Sequence, residues 1–198
     1  MNFLALLGWS YDDKTTIMSR DELVARFDLE RVVPSPATFD YEKLDWMNGV
    51  YLRALPPEEY ADELVRFLRE TGHDWDEELV RRTVPIVREK IERFGQFPDF
   101  AGFLFRDVQP DPALLDGRAP IVAAARDELA RVEPFAAPEI ESALRGLAER
   151  LELSPRKAFE PIRIAVTGSK VSPGLFESLE LLGKEETLRR LSAAVARA

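Results

Sequence analysis

The sequence contains no cysteine and only one histidine, His73. The absence of cysteine excludes disulfide bonds, thiolate metal sites and a cysteine nucleophile. A single histidine leaves no partner for a His-His metal pair, and its place beside Gly72 fits a polar group at the end of a helix. We therefore predict no metal site in this chain.

Long apolar runs are also missing. No window reaches the ~18 uninterrupted apolar residues that a membrane-spanning helix needs. Residues 1–7 are mostly apolar, but they lack the basic flank and the cleavage site of a signal peptide. We therefore predict a cytoplasmic protein that does not contact a membrane.

The sequence has no glycine-rich phosphate-binding loop of either common type. The segment 167–170 reads Thr-Gly-Ser-Lys, which is too short for a P-loop and does not follow a convincing strand. Carboxylates are abundant but are spread along predicted helix faces, where their ordinary role is solvation. The residues alone thus predict no catalytic residue, and a stand-alone enzyme is the least favoured function.

Charge is distributed unevenly along this acidic chain, whose formal net charge is −9. Residues 1–80 hold 8 Lys/Arg against 18 Asp/Glu, whereas residues 81–198 hold 19 against 18. Two basic clusters stand out, at 81–93 and 156–170. Because phosphate binding responds to local clusters rather than to totals, nucleic-acid binding stays open. A solvated helix face is the alternative explanation.

Helix signals dominate the rest of the chain. Ser19 and Glu22 form a capping-box pattern, and Asp40 can cap the helix that follows it. Pro57 fits the first turn of a helix that runs to Gly72. Sustained β-type alternation is lacking apart from weak stretches at 31–33 and 162–166. We predict an all-α, multi-helical fold, with further helices at 79–94 (interrupted at Pro85), 98–105, 119–132, 138–151, 155–165, 173–182 and 184–197.

A helix start with unusual content lies at residues 172–177, where the sequence reads Ser-Pro-Gly-Leu-Phe-Glu. Such a start offers unpaired backbone N–H groups and apolar side chains, which suit a base or a phosphate. The alternative is that Leu175 and Phe176 belong to the core of the next helix. The pattern alone leaves both interpretations open.

Several blocks of the chain resemble bacterial glutamyl-tRNA synthetases, in that family's order and spacing. The first block resembles the segment that follows the family's catalytic signature loop. The second resembles its stem-contact region, and the others resemble its C-terminal end. These blocks are residues 2–10, 39–49, 163–169, 172–177 and 181–185.

The resemblance implies three structural parts. These are a partial stem-contact region at 1–56, a first helical anticodon-binding domain at 57–132 and a second one at 133–198. The family's nucleotide-binding fold, with its His-Ile-Gly-His-like and Lys-Met-Ser-Lys-like motifs, has no counterpart here. We therefore expect a fragment that begins after the catalytic domain and has no ligase activity of its own.

The resemblance also implies a function. The full enzyme attaches glutamate to its tRNA with ATP, and this chain is the expected tRNA-binding and anticodon-recognition module. ATP and magnesium belong to the missing catalytic domain, so no cofactor is expected here. The expected partner is glutamate tRNA, bound by a monomer, and the sequence leaves open whether glutamine tRNA is also accepted.

Six positions match tRNA-contacting places in that family. Lys90 stands where the family often has an arginine that helps to discriminate the third anticodon base. Lysine keeps the charge but not the forked donor geometry, so strict discrimination between glutamate and glutamine tRNAs is not implied. The resemblance assigns anticodon contacts to Arg82, Lys90, Arg163, Ser172 and Leu175, and a stem contact to Lys43.

One alternative of a different class stays open. The acidic residues 1–80 could dock a basic partner, which would make the chain a helical protein-interaction module without RNA binding. Salt-sensitive binding to glutamate tRNA would separate this function from the favoured one.

Overall fold

A computed structural model describes residues 1–12, 14–33 and 38–197. Within these ranges the chain forms eleven α-helices and no β-strand, so the all-α prediction is confirmed. The weak β-type stretch at 162–166 lies inside a helix. The chain divides into two compact units, Met1–Leu55 and Pro56–Ala198.

The described residues of the smaller unit, 1–12, 14–33 and 38–55, form three α-helices and one short 3₁₀ helix. Its apolar core is formed by Trp9, Met18 and Leu23. Both predicted caps are present: Ser19 and Glu22 make a reciprocal capping box, and the Asp40 carboxylate accepts from the Lys43 N–H at 3.0 Å. The elements are α1 (Asn2–Ala5), α2 (Arg20–Arg26), the 3₁₀ helix Leu29–Arg31 and α3 (Tyr41–Ala54).

The larger unit begins with α4 (Pro57–Glu70) and α5 (Glu77–Val87). Helix α4 buries Tyr60, Leu64 and Leu68, which recur at the spacing of one helix face. A left-handed Gly72 follows this helix, as predicted for its C-terminal end. The chain continues through the 3₁₀ helix Phe94–Gln96, α6 (Phe97–Ala101) and the 3₁₀ helix Gly102–Leu104.

Helix α5 ends earlier than the sequence predicts. It runs through Pro85 and stops at Val87, whereas the apolar pattern extends to residue 94. Pro85 has no N–H group to bond to the preceding turn, so the last turn of α5 is weakened. The backbone N–H groups of Lys90 and Ile91 both bond to the Val87 carbonyl, and Lys90 lies in the resulting turn.

The remaining helices share one core, which includes buried residues from Leu115 to Ala194. Helix α7 packs against α8, α9 and α11, and α10 packs against α8 and α11. The elements are the 3₁₀ helix Pro112–Leu114, α7 (Ala119–Leu129), α8 (Ala137–Arg150), α9 (Pro155–Thr167), α10 (Leu175–Leu182) and α11 (Lys184–Arg197).

The division of the larger unit at 132/133 stays a prediction. Val122, Ala125 and Leu129 of α7 are buried in the same core as residues of α8 to α11. This packing favours a boundary in the segment 107–119, because α7 would otherwise be separated from the helices that cover its apolar face.

Candidate nucleic-acid interface

The turn that follows α9 is held by hydrogen bonds from side chains within it. Gly168 ends the helix in a left-handed conformation with φ of +73°, which favours glycine. Thr167 Oγ1 donates to the Ser169 carbonyl at 3.0 Å, and the Val171 N–H donates to Ser169 Oγ at 3.1 Å. These bonds hold residues 169–171 away from the helix axis, and the Val171 side chain is 68% exposed.

Arg163 fastens the continuation of this turn. Its Nη1 donates to the Pro173 carbonyl at 2.7 Å and to Ser172 Oγ. Burial lowers the pKa of the Arg163 guanidinium, but an arginine stays charged at neutral pH. Arg163 therefore positions the 169–174 segment and carries a positive charge directly behind it.

Ser172 is not the N-cap of α10. The helix begins at Leu175 with Gly174 as its N-cap, two residues later than predicted. The reason is that Ser172 Oγ accepts from Arg163 and donates to the Pro173 carbonyl at 3.0 Å, so it does not cap a helix. The anticodon contact assigned to Ser172 stays a prediction.

Leu175 lies in the core of the larger unit and is 4% exposed. This is one of the two roles that the sequence left open. Phe176 is partly buried, and its ring packs edge-on against Phe159, with the centroids 5.4 Å apart. A contact between Leu175 and a base stays a prediction, and the burial makes a core role the simpler explanation.

Two clefts meet at Val171. The first measures about 460 Å³ and brings Arg156, Arg163 and Lys170 of the basic cluster together beside Phe159. The second measures about 370 Å³ and is lined by Lys90, Ile91, Gln96, Asp99, Phe100, Ser169 and Val171. Both volumes fall within the range of ~300–1,000 Å³ that is usual for ligand sites.

Glu160 is the one acidic side chain in the first cleft. Arg118 donates to its carboxylate at 2.7 Å, and this bond lowers the pKa of Glu160 below its ordinary value. The carboxylate stays ionised but is neutralised locally. The first cleft is therefore positively charged, whereas the second holds one cation, Lys90, and one carboxylate, Asp99, and Val171 lines both.

The other two predicted site residues lie elsewhere. Arg82 is exposed on α5 and does not line either cleft. Lys43 is exposed in the first turn of α3 in the smaller unit, where it lines a groove with Phe3, Phe39 and Tyr41. The structure thus brings Lys90, Arg163 and Ser172 to one surface, and Arg82 and Lys43 are exposed outside it.

Arg190 binds backbone segments next to this surface, and no signal in the sequence identified it. The side chain is 6% exposed. Its Nη1 donates to the carbonyls of Phe103 and Val166 at 2.9 Å each, and its Nη2 donates to the Arg106 carbonyl at 3.2 Å. Arg190 thereby joins the segment after α6 to the end of α9, and these two parts of the chain adjoin the residues that line the Lys90 cleft.

Glu186 accepts hydrogen bonds from both Arg189 and Arg190, and these bonds predict how the stability of the fold depends on pH. Hydrogen bonds from Arg189 and then Arg190 lower the pKa of Glu186 from 4.5 to about 2. Because the folded-state pKa is the lower one, this stabilisation is fully present above about pH 5 and is lost as the pH falls toward about 2. The free energy of unfolding of Glu186→Gln should therefore fall less than that of the wild type between about pH 6 and about pH 3, as measured by urea denaturation. An equal fall in both proteins would contradict the prediction.

The larger unit, which carries both clefts, matches a known protein family. Residues 59–195 match the family model described as anticodon binding domain. The match covers most of the larger unit, including both clefts. The chain belongs to the anticodon binding domain family.

Whole-protein comparisons give a more particular relationship: the chain is similar to the C-terminal part of glutamate–tRNA ligases. It is 45% identical over 210 residues to the glutamate–tRNA ligase of a Roseiflexus species. It is 43% identical over 209 residues to that of Roseiflexus castenholzii. Each alignment covers 98% of this chain and 41% of the relative.

A solved structure gives the same picture. The glutamate tRNA ligase of Elizabethkingia meningosepticum, in complex with its amino acid, matches with a TM-score of 0.83 and 26% identity. The match covers 98% of this chain and 40% of that one. The chain thus spans about two fifths of the length of the relatives that it matches.

Among the helices that the structure describes, none combines the length and the apolar character needed to cross a membrane.

Proposed function

We propose that the surface between Lys90 and Arg156 binds the anticodon loop of a tRNA, and that the chain is the anticodon-recognition module of a glutamate–tRNA ligase. The observation that carries this proposal is the meeting of the two clefts at Val171. Lys90 in one cleft and the cations of the other, Arg156, Arg163 and Lys170, lie on either side of Val171, an exposed apolar residue that lines both clefts. Single-stranded nucleic acid is bound by this combination of backbone-neutralising cations and apolar faces for bases.

The ligase reaction belongs to the proposed whole protein rather than to this chain. In the proposal, glutamate is attached to its tRNA with ATP and magnesium held by a separate catalytic domain. No cluster of three or more metal-ligating side chains occurs among the residues with a described placement. Since ATP and magnesium belong to the catalytic domain in this proposal, the isolated chain is expected not to catalyse exchange of pyrophosphate into ATP.

The tRNA partner is proposed to be glutamate tRNA, with glutamine tRNA also accepted. Lys90 provides a flexible point charge, whereas an arginine would present a rigid fork of donors to one base edge. A single lysine therefore discriminates weakly between bases at its position. The protein is proposed to act as a cytoplasmic monomer, which sedimentation with and without tRNA would check.

A binding experiment tests the function and carries the next prediction. The chain should bind glutamate tRNA with an affinity that falls as salt increases. Lys90→Ala should weaken binding and reduce the slope of log affinity against log salt by about one unit or less, since one phosphate-directed cation is lost. Fluorescence anisotropy at several salt concentrations measures both quantities.

Arg145→Ala is the matched control, because it removes an exposed cation that is ion-paired with Glu141 on α8, away from both clefts. It should leave the affinity and the salt slope unchanged. Salt-insensitive or undetectable binding by the wild-type chain would overturn the proposed function. That result would favour a helical protein-interaction module instead.

A further inference from the structure

The side-chain amide of Gln96 is held in one orientation. Its Oε1 accepts from the backbone N–H of Glu92 at 2.7 Å and from that of Arg93 at 3.1 Å. Only the oxygen of the amide can accept from an N–H group, so these two bonds define which end is which. The NH₂ group is the remaining polar end of the side chain, and among the described residues no hydrogen bond from this group is seen.

Gln96 lines the cleft that also contains Lys90, Asp99, Phe100 and Val171. With Ile91 and Ser169, which also line it, the cleft combines the donors of Lys90 and Gln96, the Asp99 carboxylate, the Ser169 hydroxyl and three apolar side chains. A nucleobase has the complementary composition, with hydrogen-bonding groups along its edge and apolar faces above and below. Phosphate would be matched by the cations alone and would have no use for the oriented amide.

Two segments of the chain line this cleft. One carries Gln96, Asp99 and Phe100, and the other is the turn that contains Ser169 and Val171. Arg190 bonds to the carbonyl of Phe103, which follows the first segment, and to that of Val166, which precedes the second. The parts of the chain that adjoin the two segments are therefore tied to one buried side chain.

We propose that Gln96 is a specificity-determining residue of this cleft, where its NH₂ group donates to an acceptor on the edge of one anticodon base. This inference rests on the proposed tRNA-binding function. Lys90 supplies charge that any acceptor or phosphate attracts, whereas the fixed Gln96 donor distinguishes a base edge with an acceptor at that point from one without it. A site that is built to form a hydrogen bond discriminates strongly against a partner that cannot form it.

Gln96→Glu tests this role, because one carboxylate oxygen can still accept from the Glu92 and Arg93 N–H groups while the donor is lost. The probes are anticodon stem-loop RNAs with the glutamate anticodon and with each anticodon base replaced in turn. For the wild-type chain, the ratio of affinities between the parent RNA and each variant defines the discrimination at each position. In Gln96→Glu, the ratio at one position should fall about tenfold or more, with smaller changes at the other two.

Two further variants separate discrimination from charge and from folding. Gln96→Met removes the donor without adding a charge and should reduce the ratio at the same position. Arg145→Ala changes the net charge by the same amount as Gln96→Glu, on α8 and away from both clefts, and should preserve the wild-type ratio at every position. Melting curves identify any variant that has lost its fold at the assay temperature, and the assay is then run at a temperature where all variants are folded.

The outcomes distinguish this inference from the function on which it rests. If the wild-type chain binds none of the RNAs, the proposed function and this role of Gln96 both fail. If the wild type binds and discriminates but Gln96→Glu and Gln96→Met keep all three ratios, only the role of Gln96 fails. Uniform weakening toward every RNA, with the ratios unchanged, would also overturn it, because added charge alone explains that result.

Discussion

Replacing Arg190 with methionine is expected to lower the free energy of unfolding of the larger unit by about 3–5 kcal/mol, as is usual when one partner of a buried ionic network is removed. The guanidinium is almost fully buried and donates to three carbonyls as well as to Glu186. Methionine fills much of the same volume but donates no hydrogen bond. The carbonyls of Phe103, Val166 and Arg106 would therefore lose a donor in a place that water does not easily reach.

Arg189→Met is the matched control for this experiment. Arg189 neighbours Arg190 on α11 and pairs with Glu186 and Asp107, but its side chain is about half exposed. Exposed ion pairs contribute less to stability than buried ones, so this variant should lose much less stability than Arg190→Met. Urea unfolding followed by circular dichroism compares the three proteins. Equal midpoints for Arg190→Met and Arg189→Met would show that the buried bonds contribute no more than a surface pair.

Leu175→Ala is the second change with a large expected effect, a loss of about 2–5 kcal/mol in the free energy of unfolding. Leu175 is buried in the core, so its truncation removes apolar contacts and leaves a cavity. At a temperature where the variant is folded, its affinity for tRNA should stay near that of the wild type. Thermal melting and anisotropy on the same samples measure the two effects.

Val171→Ala is the matched comparison for Leu175→Ala, because Val171 is also apolar and close in sequence but is mostly exposed. It should leave the melting temperature unchanged and weaken tRNA binding several-fold, since apolar surface at the junction of the two clefts is removed. The opposite result for either variant would contradict the prediction. A stable Leu175→Ala that loses tRNA binding would restore a direct base contact by Leu175, and an unaffected Val171→Ala would move the binding surface elsewhere.

Much of the fold is predictable because its signals are local. A capping box needs only Ser19 and Glu22, and a first-turn proline needs only Pro57. The two errors at helix ends have a different origin. Whether α5 continues past Pro85 depends on how the following turn packs, and Ser172 fails as a cap because Arg163, from another helix, uses its hydroxyl group.

The residues of the candidate interface also differ in whether the sequence alone identifies them. Arg163 can be identified from the sequence because it lies in a block that resembles a known family, and Lys90 because it stands in the basic cluster 81–93 at a position that matches that family. Gln96, Val171 and Arg190 cannot, since their importance comes from contacts across long stretches of chain. An exposed valine or a helical arginine has no distinguishing sequence context, and only the packing of α9, α11 and the segment after α6 gives these residues their places.

The packing of α7 against α11 has a consequence for biosynthesis. The residues of α7 leave the ribosome well before those of α11, yet the two helices cover each other in the same core. Contacts between distant parts of a chain form slowly, because the intervening segment must first be closed into a loop. During translation the apolar face of α7 therefore stays partly uncovered until α11 has been made, and in that interval it is a natural binding site for a chaperone.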